Sequence, residues 1–269
     1  MDDSAKKRGD DKVVAVGPHR LTATVFGVGS PVVVIEPGYG GAAAAWRDFA
    51  AELAADTTVV TYDRAPYGSS SAAVDGRTPR EVAADLRGLL AGLGLAGPFV
   101  LVGHSSGGRI VRQFAAQHPD LVAGMVLVDS SHEDQQHRLA GSLPWRMRLG
   151  EALEAPRLLL GWRNPMSLAR RRSQAREFRA LARQTAADIP LAPGALGDKP
   201  LVVLTRAAGS PPDPMWQGWH ELQTEFAKLS ADSRHLIADS DDHFLHLSRP
   251  ALVLEAVRSI VYTVRDRSA

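Results

Sequence analysis

A run of apolar residues, Phe99-Val100-Leu101-Val102, passes directly into Gly103-His104-Ser105-Ser106-Gly107 and out into Arg109-Ile110-Val111-Arg112-Gln113-Phe114-Ala115. Strand, turn and helix follow one another here with no connecting loop. Only a very sharp turn does this, and it holds its central side chain at the tip of a sheet. Glycine is needed on both sides, because a side chain there would clash with neighbouring backbone. Ser105 is therefore read as an exposed nucleophile at a strand-to-helix elbow.

The rest of the chain supplies the sheet that such an elbow requires. Residues 32–35, 59–62, 99–102 and 125–128 are continuous apolar, β-branched runs, as expected of strands buried on both faces of a parallel sheet. Residues 201–204 and 235–238 add two more. Residues 13–16 and 21–26 read as two short strands hinged at Gly17-Pro18. Helical patterns lie between the later strands. Thr78-Pro79-Arg80-Glu81 is a capping box with proline in the first turn, and the helix it opens is expected to stop near Gly92 to Gly94. A last helix starts at Ser248-Arg249-Pro250. Strands alternating with helices predict an α/β fold with a doubly wound, mostly parallel sheet.

Residues 134–196 break that rhythm. The interval is rich in Arg, Ala and Leu, carries Trp145 and Trp162, and shows no strand pattern. It is read as a helical cap over the carboxyl edge of the sheet, inserted between core segments 13–133 and 197–269, with 1–12 a disordered lead-in. The cap's arginines, Arg170-Arg171-Arg172 among them, are read as a solvated face, and Leu149, Leu153, Leu158, Leu159 and Leu160 as an apolar side able to line a lipophilic pocket. Trp145, Trp162, Trp216 and Trp219 are read as packing residues.

With 269 residues and 45% hydrophobic content the chain can bury one large core. A formal charge of +1 gives no general field for nucleic acid. The absence of cysteine excludes disulfides, iron–sulfur ligation and thiol catalysis. The first twelve residues are charged and lack the apolar core of a signal peptide, and no run approaches the ~18 apolar residues of a membrane span. A cytoplasmic protein with no membrane span and no nucleic-acid partner is expected.

A serine hydroxyl needs a base, and the base an orienting acid, both from loops at the carboxyl ends of strands. Of nine histidines, His243 is best placed, after the strand at 235–238 and before the Pro250 helix. His246 would fall inside the following turn, and His132 and His220 lie earlier. No metal-ligand spacing is present. For the acid, Asp129 directly follows the strand at 125–128, and Asp213 lies in the proline-flanked loop after residues 201–204. Asp129, with the tighter anchor, is preferred and Asp213 is the alternative. An oxyanion also needs two N–H donors, and the elbow aims that of Ser106 at the site.

In this arrangement the chain resembles the α/β-hydrolase superfamily, in particular its bacterial esterase-like branch with a helical cap. Glu36-Pro37-Gly38-Tyr39-Gly40-Gly41 is similar to the oxyanion loop, and Tyr62-Asp63-Arg64-Ala65-Pro66-Tyr67-Gly68-Ser69-Ser70 resembles the D-R-x-G-x-G-x-S turn. Three features depart from the pattern: Glu36-Pro37 stands where many members have an HG-type histidine, Pro66 where a glycine is usual, and Asp242 where a glycine commonly precedes the histidine. The resemblance implies Tyr39 as the second oxyanion donor. It also implies a serine hydrolase that cleaves a small-molecule carboxylic ester through an acyl-enzyme, without cofactor or metal. Epoxide hydrolases and haloalkane dehalogenases of this superfamily use an aspartate nucleophile, which argues against both chemistries. A thioesterase, lactonase or acyltransferase would use the same residues, and a non-hydrolytic binding protein on the same fold is the reading from another class.

Overall fold

The structure, a computed structural model, describes residues 9–71, 77–139, 175–176, 192–209 and 215–269. Most of the interval read as a cap, the first eight residues of the segment read as a lead-in, and Asp213 lie outside the described residues.

Eight strands form one sheet in the order β1-β2-β4-β3-β5-β6-β7-β8. They are β1 (Asp10–Val16), β2 (His19–Phe26), β3 (Val32–Glu36), β4 (Val59–Asp63), β5 (Phe99–His104), β6 (Val122–Val128), β7 (Leu201–Thr205) and β8 (Ser233–Ile237). β2 pairs antiparallel with both β1 and β4. From β4 to β8 every pairing is parallel, so the carboxyl ends of these strands share one edge.

The apolar runs are continuous because both faces of the sheet are covered. Val34, Leu101, Leu127 and Val203 pack with Leu86 and Leu89 of α2 (Pro79–Gly92), Phe114 of α3 (Gly107–Gln117) and, farther along, Phe226. Their strand neighbours Val33, Val100, Val126 and Val202 point the other way. These pack with Leu53 of α1 (Arg47–Leu53) and with Val257 and Ile260 of a C-terminal helix, Pro250–Ser268. Alternation along each strand thus feeds two cores, the signature of a doubly wound sheet. The capping box closes reciprocally: Glu81 N–H donates to Thr78 Oγ1 at 3.3 Å, and Thr78 N–H to Glu81 Oε2 at 2.8 Å.

Two boundaries differ from the sequence reading. β1 begins at Asp10 rather than residue 13, so the last residues of the supposed lead-in 1–12 are strand. Asp10 pairs with Val25, and Thr24 donates its hydroxyl to Asp11 Oδ1 at 2.6 Å. An edge strand facing solvent carries charged residues without losing its ladder, which hydrophobicity alone does not detect. β8, the opposite edge, likewise starts earlier, at Ser233. In the interval read as a cap, Gln135–Leu139 forms a short helix, α4.

Candidate active site

Ser105 directly follows β5 and has φ +53, a left-handed conformation uncommon for a residue with a side chain. Its N–H still donates to Val128 O at 3.1 Å, while its carbonyl accepts from Gly108 N–H (3.0 Å) and Ser131 N–H (2.9 Å). The flanking glycines are required by close approach: a Cβ on Gly103 would lie 2.6 Å from Val111 Cγ2, and one on Gly107 only 2.2 Å from Glu36 O. Ser105 is half-buried at this turn. Ser106 caps the start of α3, where helix N–H groups lack intrahelical acceptors.

Asp129 occupies the equivalent place one strand over. It follows β6, has φ +40, and is completely buried. Its N–H donates to Leu204 O at 2.7 Å. Its Oδ2 lies 2.6 Å from His243 Nδ1, and its Oδ1 accepts from the indole N–H of Trp219 (2.7 Å) and from Arg206 N–H (3.2 Å). Arg206 Nε lies 3.7 Å from Oδ2. Both carboxylate oxygens are therefore held, as a buried charge requires. With the carboxylate accepting at Nδ1, the proton of a neutral His243 sits there and Nε2 is the basic nitrogen.

His243 lies between β8 and a short helix, α6 (Leu245–Ser248, after α5 at Trp216–Ala227), and is partly exposed. Its carbonyl accepts from Nε2 of buried His104, 3.0 Å away, which fixes the loop from beneath. Burial chiefly, and then the neighbouring His243 and His246, push the His104 pKa down to about 3. The rival His246 is buried in α6 and stacks on Trp46 at 4.0 Å with ring planes 6° apart. Burial and His243 lower its pKa to about 4. His132 stacks on Phe226, and His220 on Trp216.

The loop read as an oxyanion loop reaches the elbow. A Cβ on Gly38 would come within 3.0 Å of Ser105 Cβ. Beneath the loop, buried Glu36 pairs with buried Arg64 at 2.5 Å and accepts the hydroxyl of Tyr62. Burial, and then the Glu36 charge, push the Tyr62 pKa well above its ordinary value. Arg64 also donates to Pro37 O at 2.7 Å and Gly38 O at 3.0 Å. Tyr39 is half-buried, edge-on to Tyr67. Among the described residues no group of three His, Cys, Asp or Glu side chains could hold a metal ion.

The structure thus brings Asp129 against His243 and the 36–41 loop against Ser105; Asp213 falls outside the described residues. Sequence reading missed Trp219, Arg206, Arg64 and His104 as neighbours of the site. Arg206 carried a usable signal, standing just past β7 at the carboxyl edge. Trp219, on a helix, carried none.

A family model described as the alpha/beta hydrolase fold matches residues 31–188. An uncharacterised protein of Bacillus subtilis, YqjL, is 25% identical over 228 residues, covering 85% of this chain and 82% of that one. A fluoroacetate dehalogenase of a Burkholderia species is 34% identical over 123 residues, covering 44% and 40%. Among solved structures, a thermophilic esterase from Thermogutta terrifontis superposes with TM-score 0.70 at 24% identity, covering 95% of this chain and 99% of that one. At that identity the likeness carries the fold.

Proposed function

The chain belongs to the α/β-hydrolase family, and from that premise we propose that it is a serine hydrolase of small-molecule carboxylic esters. Ser105 attacks the acyl carbon while His243 Nε2 takes its proton. Asp129 keeps the imidazole in the useful tautomer and stabilises the imidazolium. The N–H groups of Tyr39 and Ser106 receive the oxyanion. His243 then protonates the leaving alcohol, and a water activated by the same nitrogen releases the acid from the acyl-enzyme. These steps use the chain's own groups, without cofactor or metal. The interval 134–196 is assigned as the cap that selects the acyl group, over a core that begins with β1 at Asp10, runs to residue 133 and resumes at 197–269. The setting is cytoplasmic.

The observation that carries this reading is the 2.6 Å contact of Asp129 with His243 Nδ1, made at the sheet edge where Ser105 occupies its left-handed turn. The dehalogenase likeness favours a rival, but the superfamily resemblance ties that chemistry to an aspartate nucleophile, and residue 105 is serine. Thioester cleavage, lactone opening and acyl transfer would employ the same groups.

Labelling with a fluorophosphonate, peptide mapping, and a panel of p-nitrophenyl esters and acyl thioesters test the reading. The expected result is modification of Ser105 and turnover of esters. A chain that is neither labelled at Ser105 nor active on any member of the panel would be a binding protein.

A further inference from the structure

We propose that Arg64, anchored by Glu36, is a positioning residue that sets the direction of the Tyr39 N–H; this rests on the serine hydrolase reading above. In a trans peptide unit the carbonyl and the N–H point in opposite directions. The carbonyl of Gly38 and the N–H of Tyr39 belong to one such unit. Arg64 donates to that carbonyl at 3.0 Å and to the preceding one, Pro37 O, at 2.7 Å. With two successive carbonyls drawn toward the guanidinium, the Tyr39 N–H is turned away from it.

The loop itself offers the Gly38 carbonyl one bond, from Gly41 N–H at 3.1 Å, and the guanidinium adds a second from outside the loop. Gly38, Gly40 and Gly41 surround Tyr39, and glycine lowers the cost of rotating a peptide plane. A rotated Gly38–Tyr39 unit would present a carbonyl where an N–H is required, replacing attraction for an oxyanion with repulsion. A planar fork can hold several acceptors at once, whereas an ammonium is a point charge. Glu36 supplies the countercharge: it is 0% exposed and Arg64 only 2%, so neither tolerates loss of its partner. Glu36 also abuts the elbow, since its carbonyl is the atom nearest to a Cβ built on Gly107. The residue that anchors Arg64 thus also lies against the start of the elbow helix through its own carbonyl.

The test uses two variants of the full chain. Arg64→Lys keeps the charge opposite Glu36 but loses the fork. The double variant Glu36→Gln with Arg64→Met removes both charges together and preserves most of the volume. Each is compared with the wild type in melting temperature, in kcat and KM for one p-nitrophenyl ester, and in the second-order rate of fluorophosphonate labelling at Ser105. We expect kcat and labelling to fall about tenfold or more in either folded variant, with KM within about threefold, because removal of an oxyanion donor costs on the order of 10²–10³ in kcat and misdirection costs part of that. Rescue of folding in the double variant without rescue of rate separates positioning from packing. If a folded variant labels and turns over within about threefold of the wild type, the inference is overturned while the hydrolase reading stands. If the wild type itself takes no fluorophosphonate at Ser105, both fall. Should one variant fail to fold, the other decides.

Discussion

Trp219 donates its indole N–H to Asp129 Oδ1 across 2.7 Å, although 90 residues separate the two in sequence. The bond ties a helix outside the sheet to the carboxylate that meets His243. Trp219→Phe keeps an aromatic ring at this buried position but removes the donor together with part of the indole's bulk. Its unfolding free energy is expected to fall by about 1.5–3 kcal/mol for the lost bond to a charged group, and further for the lost packing. Loss of one restraint on Asp129 should lower kcat by about tenfold and leave KM nearly unchanged. Urea melts and steady-state kinetics on one ester check both, and an equal rise in KM would mark Trp219 as a pocket wall instead.

Asp129→Asn is expected to lose about 10²-fold or more in kcat, because an amide can donate to Nδ1 and so favour the wrong tautomer. Asp213→Asn should be much milder. Kinetics on two folded variants with the same ester provide the comparison, and the reverse ranking would transfer the orienting role to Asp213.

The left-handed backbone of Ser105 makes a prediction that separates stability from turnover. Holding a non-glycine residue in this region costs about 1–2 kcal/mol. Ser105→Gly should therefore melt higher than the wild type, by about 1 kcal/mol, and have no esterase activity. Ser105→Ala should be equally inactive but close to wild type in stability, since it retains a Cβ. Denaturant titrations of the three chains measure the difference, and turnover by the folded alanine variant would remove Ser105 from the chemistry.

Acid should destabilise the fold through its buried histidines. His246 and His104 bind protons more weakly when folded, with pKa values of about 4 and about 3 against an ordinary 6.5. The unfolded chain therefore takes up protons first. Their contribution is complete above about pH 6.5 and drains away as pH falls toward the folded values. His246→Phe preserves the stack on Trp46 and removes one titrating group. Between pH 7 and pH 5 it should lose about 1–2 kcal/mol less stability than the wild type. Equal losses would mean that His246 does not titrate in this window. Unlike His243→Ala, this variant should retain ester turnover.

How much of this was legible in the sequence follows from where each interaction is encoded. Strands β3 to β7 announce themselves because both their faces are buried, and Ser105 because the elbow is built from adjacent residues. β1 and β8, at the edges, obey a weaker pattern and were misjudged by two or three residues. Asp129 and His243 were placed by chain order and strand ends, and the register of β5 against β6, with His104 opposite Val128, is what makes Ser105 and Asp129 spatial neighbours. The clamp of Arg64 on the 36–41 loop was invisible. Glu36-Pro37 stood out only as a departure from a family pattern, and its meaning required a partner 28 residues away. Trp219 packs as its sequence context predicts, but nothing along a helix marks which packing side chain will also meet a carboxylate.

The ends of the interval 134–196 return to a single place. On the way out, Arg138 pairs with Glu221 and Glu225 of α5, and Leu139 packs on Trp219 and Leu222. On the way back, Gly194 N–H donates to Lys228 O and Leu196 N–H to Leu229 O, just beyond the same helix. Asp134 and Pro193 line one cavity of about 270 Å³ with Glu225 and Lys228. A detour that starts and finishes at one dock can be lengthened, shortened or exchanged at little cost, since closure entropy grows only as the logarithm of its length. The helix that holds Asp129 through Trp219 is thus also a socket for both ends of this interval, so a change of length between them need not disturb the contact of Asp129 with His243.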